Sequence, residues 1–236
     1  MGKIGEQANL CAKIKTIHMF ELPLFPLNTV LFPGAPIHLH IFEARYQQMI
    51  GLCIEERRPF GVVLIRSGKE ANAPLATPYR VGCTANIIQV QRLEQGRFNV
   101  VAIGQERFRI LTLDADTQPY LIGQVELYPI RVTDPKELEQ QAARLQHYFK
   151  KFVAAVIEVS GNAVDIGDLP EDALGLAYIA ATVLQIGVHQ KQALLEQTDA
   201  AMLFNQLLHL YRREQALLKA MILHGEQQDD APYSLN

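Results

Sequence analysis

The chain has 236 residues, of which 49% are hydrophobic and 20% charged, and its formal net charge is −3. That is an ordinary globular composition with enough chain to bury a real core, and the near balance of charge argues against a dedicated nucleic-acid binder, which carries a basic excess or a basic face. No apolar run approaches the roughly 20 residues of a membrane span, and residues 1–18 lack the continuous apolar stretch and cleavage site of a secretory signal, so a cytoplasmic location is expected.

Cys11, Cys53 and Cys83 stand alone, with no CxxC spacing, which suggests reduced thiols rather than a disulfide framework or a zinc knuckle. Met19 directly precedes the first strong pattern, so residues 1–18 are expected to be a loosely attached N-terminal extension.

The stretch Phe20–Leu27 is apolar but contains Pro23 and Pro26, which predicts an edge strand or an extended segment. Pro33-Gly34 marks a turn, and Ile37–Phe42 alternates as a strand does. From Glu43 to Arg58 the period becomes helical, with Tyr46, Met49, Ile50, Cys53 and Ile54 on one stripe, until Pro59 ends it. Phe60–Ile65 is apolar on both faces and predicts a buried strand. A polar loop over residues 67–78 leads to four strand candidates. Val81–Gln91 and Arg97–Ile103 form a hairpin across Gln95-Gly96. Arg107–Leu113 follows, with Phe108 and Ile110 on one face and Arg107 and Arg109 on the other; these two could meet an anionic partner, but a face solvated or salt-bridged within the sheet is the reading preferred. Leu121–Leu127 is the last. Short strands at this spacing predict a mostly antiparallel, barrel-like unit.

The period then changes. Asp134-Pro135 starts a long helix with Leu138, Ala142, Leu145, Phe149, Phe152, Val156 and Val159 in line, and Ser160-Gly161-Asn162 stops it. Asp168-Leu169-Pro170 opens the next helix, with Leu174, Ala177, Ala181 and Leu184 on one face. A short helix spans Gln190–Gln197. The last runs from Thr198-Asp199 to about His224, striped by Leu203, Leu207, Leu210, Leu217 and Met221 and widened by Phe204, Leu208, Tyr211 and Leu218. These stripes need each other or the β unit to be buried, and they leave room for a homodimer. The expected division is an extension at 1–18, a β domain at 19–131, a helical bundle at 132–226 and a flexible tail at 227–236.

The segment LPLFPLNTVLFPGAPIHLHIFEARYQQMI (Leu22–Ile50) closely resembles the opening of the Lon protease N-terminal domain family. YRVGCTANI, GRFNVVAIGQERFRI, PYLIGQVE and KQALLEQTDAAMLFNQLLHLY resemble later parts of the same pattern in the same order; Met202 stands where that pattern commonly has Arg. The resemblance covers about residues 20–220. It implies an α+β fold, a PUA-like mostly antiparallel β-barrel domain followed by a C-terminal helical bundle. It also implies a non-enzymatic, stand-alone module that binds unfolded or degradation-marked polypeptides, with an AAA+ protease as prospective partner. RNA binding is the alternative, since PUA-like folds elsewhere hold RNA.

The ATPase and peptidase of full-length Lon proteases are not legible in this sequence. Gly68-Lys69 is followed by Glu70, not by the hydroxyl residue a P-loop needs, and Ser67, Ser160 and Ser234 sit in a loop, at a helix end and in the tail. No catalytic residue and no cofactor is assigned. His38 and His40, with Glu43 nearby, have the donor types of a zinc site, but a hydrogen-bonded structural pair is the reading preferred and no metal is assigned. Glu43 and Arg45 read as an ion pair at a helix start. An extended polypeptide can be held by a strand edge through main-chain bonds and by an apolar groove through side chains. Phe32, Phe42 and Tyr46, near predicted loops, are the candidate contacts, each weighed against a place in the core. If Phe32 is a contact, its polar substitution should weaken client binding and leave the melting temperature nearly unchanged.

Overall fold

The computed structural model describes residues 19–68, 76–160 and 169–229. The elements in chain order are β1 (Met19–Leu27), β2 (Pro36–Ile41), α1 (Ala44–Glu55), β3 (Phe60–Ser67), β4 (Thr77–Pro78), β5 (Val81–Arg92), β6 (Phe98–Asp114), β7 (Leu121–Leu127), α2 (Pro135–Ser160), α3 (Ala173–Val183), α4 (Val188–Leu195) and α5 (Ala200–Asp229). The expected extension at 1–18, the Gly161-Asn162 stop, Asp168 and the tail beyond 229 lie outside the described residues.

Five strands close a ring in the order β1-β7-β6-β5-β3, and a parallel pairing of β3 with β1 completes it. The other pairings are antiparallel. β4 sits outside β3, and β2 lies off this path against β6, its one partner among the described residues. The alternation of side chains along each strand divides the ring into an inner and an outer face. Inside, Leu22, Leu24, Val63, Phe108, Ile110, Leu121 and Val125 pack on one another. The space is tight: a Cβ on Gly82 would stand 2.7 Å from the Phe108 ring, so only glycine lets the wall approach it. Outside, Phe25, Leu27, Phe60, Val62, Val81, Cys83 and Ala85 join the apolar faces of the helices in one continuous core. The double burial of Phe60–Ile65 follows, since β3 has the ring interior on one side and helices on the other.

β1 is not an edge strand. It pairs with β7 over Met19–Leu24 and with β3 over Leu24–Leu27. Pro23 falls in the first half and Pro26 in the second. Each lies where the strand is laddered on one side only, so a ring nitrogen turned to the other side loses no ladder bond. The two strands expected over 97–103 and 107–113 are one 17-residue strand, β6. Gly104 lies in its middle, where a Cβ would collide with the Phe32 carbonyl. The first half of β6 carries β2 and the second half carries β7.

Among the helices, α1 buries Tyr46, Met49, Ile50 and Cys53. Asp134 caps α2 by accepting from the Lys136 and Glu137 amides. α3 begins later than the Asp168-Leu169-Pro170 signal suggests, because Asp172 accepts from the Gly175 amide and serves as its cap. Asp199 caps α5. α5 buries Leu203, Phe204, Leu207, Leu208 and Tyr211 within the chain, and Tyr211 donates to the Ala180 carbonyl at 2.8 Å. Leu217, placed on the same stripe from sequence, is 52% exposed.

Arg107 is the largest departure. It was expected on a face solvated or salt-bridged within the sheet and is 3% exposed, held by main-chain carbonyls instead. The outer face of β6 at this point lies under α4, and Arg107 Nη1 donates to the Leu195 and Gln197 carbonyls, each at 2.6 Å. A helix C-terminus leaves carbonyls without intrahelical donors and carries partial negative charge, so a cation there is favoured. One turn away, Gln192 donates to the Val81 carbonyl at 2.9 Å. Arg109, two residues on, stays half-exposed and pairs with Glu126.

Candidate functional site

β2 is short because it lies between the turn at Pro33-Gly34 and the start of α1, and its alternation leaves Ile41 buried, Ile37 and Leu39 half-buried, and Pro36, His38 and His40 exposed. It pairs with β6 from Pro36↔Ile103 to Ile41↔Phe98 and, among the described residues, with no other strand. Its second edge therefore presents main-chain groups that no ladder uses, as any sheet edge does.

A cleft of about 370 Å³ runs along that strand. Its lining includes every residue from His38 to Phe42, together with Phe25, Leu27, Glu43 and Tyr46. Residues from both faces of a strand line one cleft only when the cleft follows the strand's edge. The floor is stiff: Tyr46 stacks on Phe25 with ring centroids 4.1 Å apart, and the Arg45 guanidinium lies 4.6 Å from the Tyr46 ring. Arg45 is held in turn by Glu43 at 2.8 Å, so the ion pair expected from sequence is present at the start of α1. At the rim, Phe42 is 59% exposed, and its ring lies parallel to that of His40 at 6.0 Å. Gln47 donates to the Phe42 carbonyl at 3.0 Å and fixes the backbone there. His40 shares a 2.8 Å hydrogen bond with Asn99 on β6, and among the described residues no three His, Cys, Asp or Glu side chains converge as metal ligands would.

The three residues put forward from sequence separate in the structure. Phe42 and Tyr46 meet in this cleft, one at the rim and one in the floor. Tyr46 is 3% exposed and offers only its cleft-facing side. Phe32 is elsewhere, fully buried between strands and helices with its ring 6.3 Å from that of Tyr178. A side chain so placed belongs to the core, the other place weighed for it from sequence. Its polar substitution is therefore expected to lower stability first, as for a core residue rather than a contact. Phe25, Leu27, Leu39 and Ile41 were not singled out from sequence. The alternation of Leu39 and Ile41 was visible, but not that β1 would bring Phe25 and Leu27 beside them.

The chain matches the family model described as the ATP-dependent protease La (LON) substrate-binding domain over residues 21–213. It belongs to that family. The Lon substrate-binding domain described here is 26% identical over 200 residues to a Lon protease of Anaeromyxobacter dehalogenans, covering 84% of this chain and 24% of that protein. It is 25% identical over 200 residues to Lon protease 2 of Myxococcus xanthus, with the same two coverages. It thus spans about a quarter of the length of the curated relatives it matches. Among solved structures, the Lon N-terminal domain protein from Xanthomonas campestris superposes with a TM-score of 0.59 at 25% identity, covering 80% of this chain and 98% of that one. The N-terminal domain of Mycobacterium avium complex Lon protease gives 0.61 at 18% identity, covering 82% and 98%, a likeness of fold. The ring of strands followed by helices is thus the family's architecture. Among the described residues no helix is long and apolar enough to cross a membrane.

Proposed function

We propose that this Lon substrate-binding domain holds unfolded or degradation-marked polypeptides in the cytoplasm, without catalysing a reaction itself, and presents them to an AAA+ protease. The observation that carries the reading is the cleft along the free edge of β2. Main-chain groups of the edge suit an extended segment of any sequence, while Phe42, Leu39 and the Tyr46 floor suit its apolar side chains. A partner recognised in this way is defined by being unfolded, because a folded protein has already used its main-chain groups and buried its apolar residues. The RNA-binding alternative draws no support from the family.

The test is binding of fluorescently labelled, reduced and carboxymethylated α-lactalbumin, a permanently unfolded chain, measured by anisotropy. The parent protein is expected to bind it and to ignore the native, disulfide-bonded form. Phe42→Ser is expected to weaken binding about fivefold to tenfold, the loss of one well-packed aromatic contact. Equal affinity of parent and variant would remove the cleft from the reading, and no binding by the parent would remove the reading itself.

A further inference from the structure

A second cleft, of about 340 Å³, opens where the strands meet the helices. It is lined by Pro33, Leu127, Pro129, Ile130, Leu174 and Tyr178, with Gln105, Glu106 and Arg107 as its polar members. Its walls are mostly apolar, yet Arg107 is a buried cation for which the structure records no carboxylate partner among the described residues. Two carbonyls occupy Nη1, the Tyr128 ring lies 5.3 Å from the guanidinium carbon, and Nη2, also buried, has no hydrogen-bond partner among the described residues. A buried charged donor left unmatched is costly, and native structures leave few of them. Tyr178 lines the same cleft as Arg107. Burial raises the Tyr178 pKa, which keeps its hydroxyl a donor. The one carboxylate of the lining, Glu106, belongs to an exposed residue.

We infer that this cleft receives the C-terminal carboxylate of a polypeptide whose last residues are apolar, with Arg107 Nη2 and the Tyr178 hydroxyl donating to the carboxylate and Leu127, Ile130 and Leu174 receiving the side chains. The inference rests on the polypeptide-binding reading and adds a chain end as a second thing recognised. Charge complementarity selects this occupant. An apolar segment from the middle of a chain would fill the walls and leave the guanidinium unmatched, whereas a chain end brings the anion and the apolar residues together. Nη2 is closed to water in the empty cleft, so a small side-chain shift of the floor accompanies binding.

The probe is an N-terminally fluorescein-labelled octapeptide ending in Ala-Leu-Leu, titrated with the full chain as the free acid and as the C-terminal amide. The acid is expected to bind at least tenfold tighter, the size of one charge-assisted hydrogen-bonded pair. Tyr178→Phe, which removes only an oxygen, is expected to shrink that ratio severalfold without unfolding the protein; Arg107→Gln is expected to abolish it, read only if the variant remains folded by circular dichroism. Acid and amide binding alike would overturn this inference and leave the β2 cleft untouched. An acid preference unchanged by Tyr178→Phe would also overturn the placement. Competition by octanoate as effective as that by unlabelled octapeptide would show that any apolar acid suffices and would overturn the assignment to a polypeptide end. Failure of the parent to bind carboxymethylated α-lactalbumin would instead overturn the broader reading.

Discussion

The junction between ring and helices and the free edge of β2 treat main-chain polar groups in opposite ways. At the junction, side chains are spent on backbone: Arg107 serves the end of α4, Gln192 serves the start of β5, and Arg131 and Thr198–Ala200 exchange backbone bonds. Phe32 and Tyr178 close the space between them. Around β2 most side chains serve each other, Glu43 with Arg45 and His40 with Asn99, Gln47 alone holding the Phe42 carbonyl among the bonds described above, and one edge of the strand stays outside the ladder of the described strands. The first region holds two layers of structure together. The second is built to the same standard of packing in its floor and is open above it. The proposed binding of an unfolded chain would draw on that combination, because an ordered floor lowers the entropic cost of binding while an open edge supplies the bonds.

Substitutions can break this contrast, and the largest effect is expected at Phe32. Phe32→Ala removes a fully buried ring from the junction and should cost about 3–5 kcal/mol in denaturant unfolding. A loss under about 1 kcal/mol would mean that the junction is not core and would restore Phe32 as a surface candidate. Arg107→Met keeps the bulk and deletes the donors, leaving two carbonyls of the α4 end unmatched. The expected loss is about 2–3 kcal/mol, and the backbone bonds joining Arg131 to Thr198 and Ala200 should be the first to lose amide-exchange protection.

A pH series sharpens the same contrast through a buried thiol on the junction side of the ring. Burial pushes the Cys83 thiol up from 9.0 to about 12. Below pH 9 both folded and unfolded forms hold the proton, and this group adds no pH dependence. Between pH 9 and about 12 the unfolded thiol ionises and the folded one does not, so stability should fall by up to about 1.4 kcal/mol per pH unit from this group. Burial raises Tyr178 and Tyr211 in the same sense. Urea unfolding of Cys83→Ala should show a shallower decline over that window; an identical slope would show that the thiol is not sealed from water. The smallest change in stability is expected at the open edge, where Phe42→Ser should stay within about 0.5 kcal/mol of the parent while client binding weakens. A destabilisation comparable to that of Phe32→Ala would erase the distinction between the two regions.

Local pattern carried much of this structure. The stripe Tyr46, Met49, Ile50 and Cys53 predicted the buried face of α1, Asp134-Pro135 predicted the start of α2, and the alternation of Phe108 and Ile110 identified one inward face of β6. Each depends on residues a few positions apart, so its physical cause is present in the sequence window itself. Arg107 read as exposed for the same reason: the window shows an alternating charge but not the helix, some 90 positions later, that covers it. Pro23 and Pro26 argued for an edge strand or an extended segment; each does lie where β1 is laddered on one side only, and what their segment could not show is that β1 changes ladder partner at Leu24. The candidate cleft was half legible. Phe42 and Tyr46 were named, while Phe25 and Leu27 needed β1 to be set beside β2.

Periodicity, caps and turn chemistry therefore settled which segments are strands, which are helices and which faces are apolar, since those depend on sterics and hydrogen bonding among near neighbours. Ring closure, the free edge of β2, the burial of Phe32 and the covered charge of Arg107 were decided only in three dimensions. They depend on which distant surfaces exclude water from one another, and a residue's own neighbours in the chain hold no record of that.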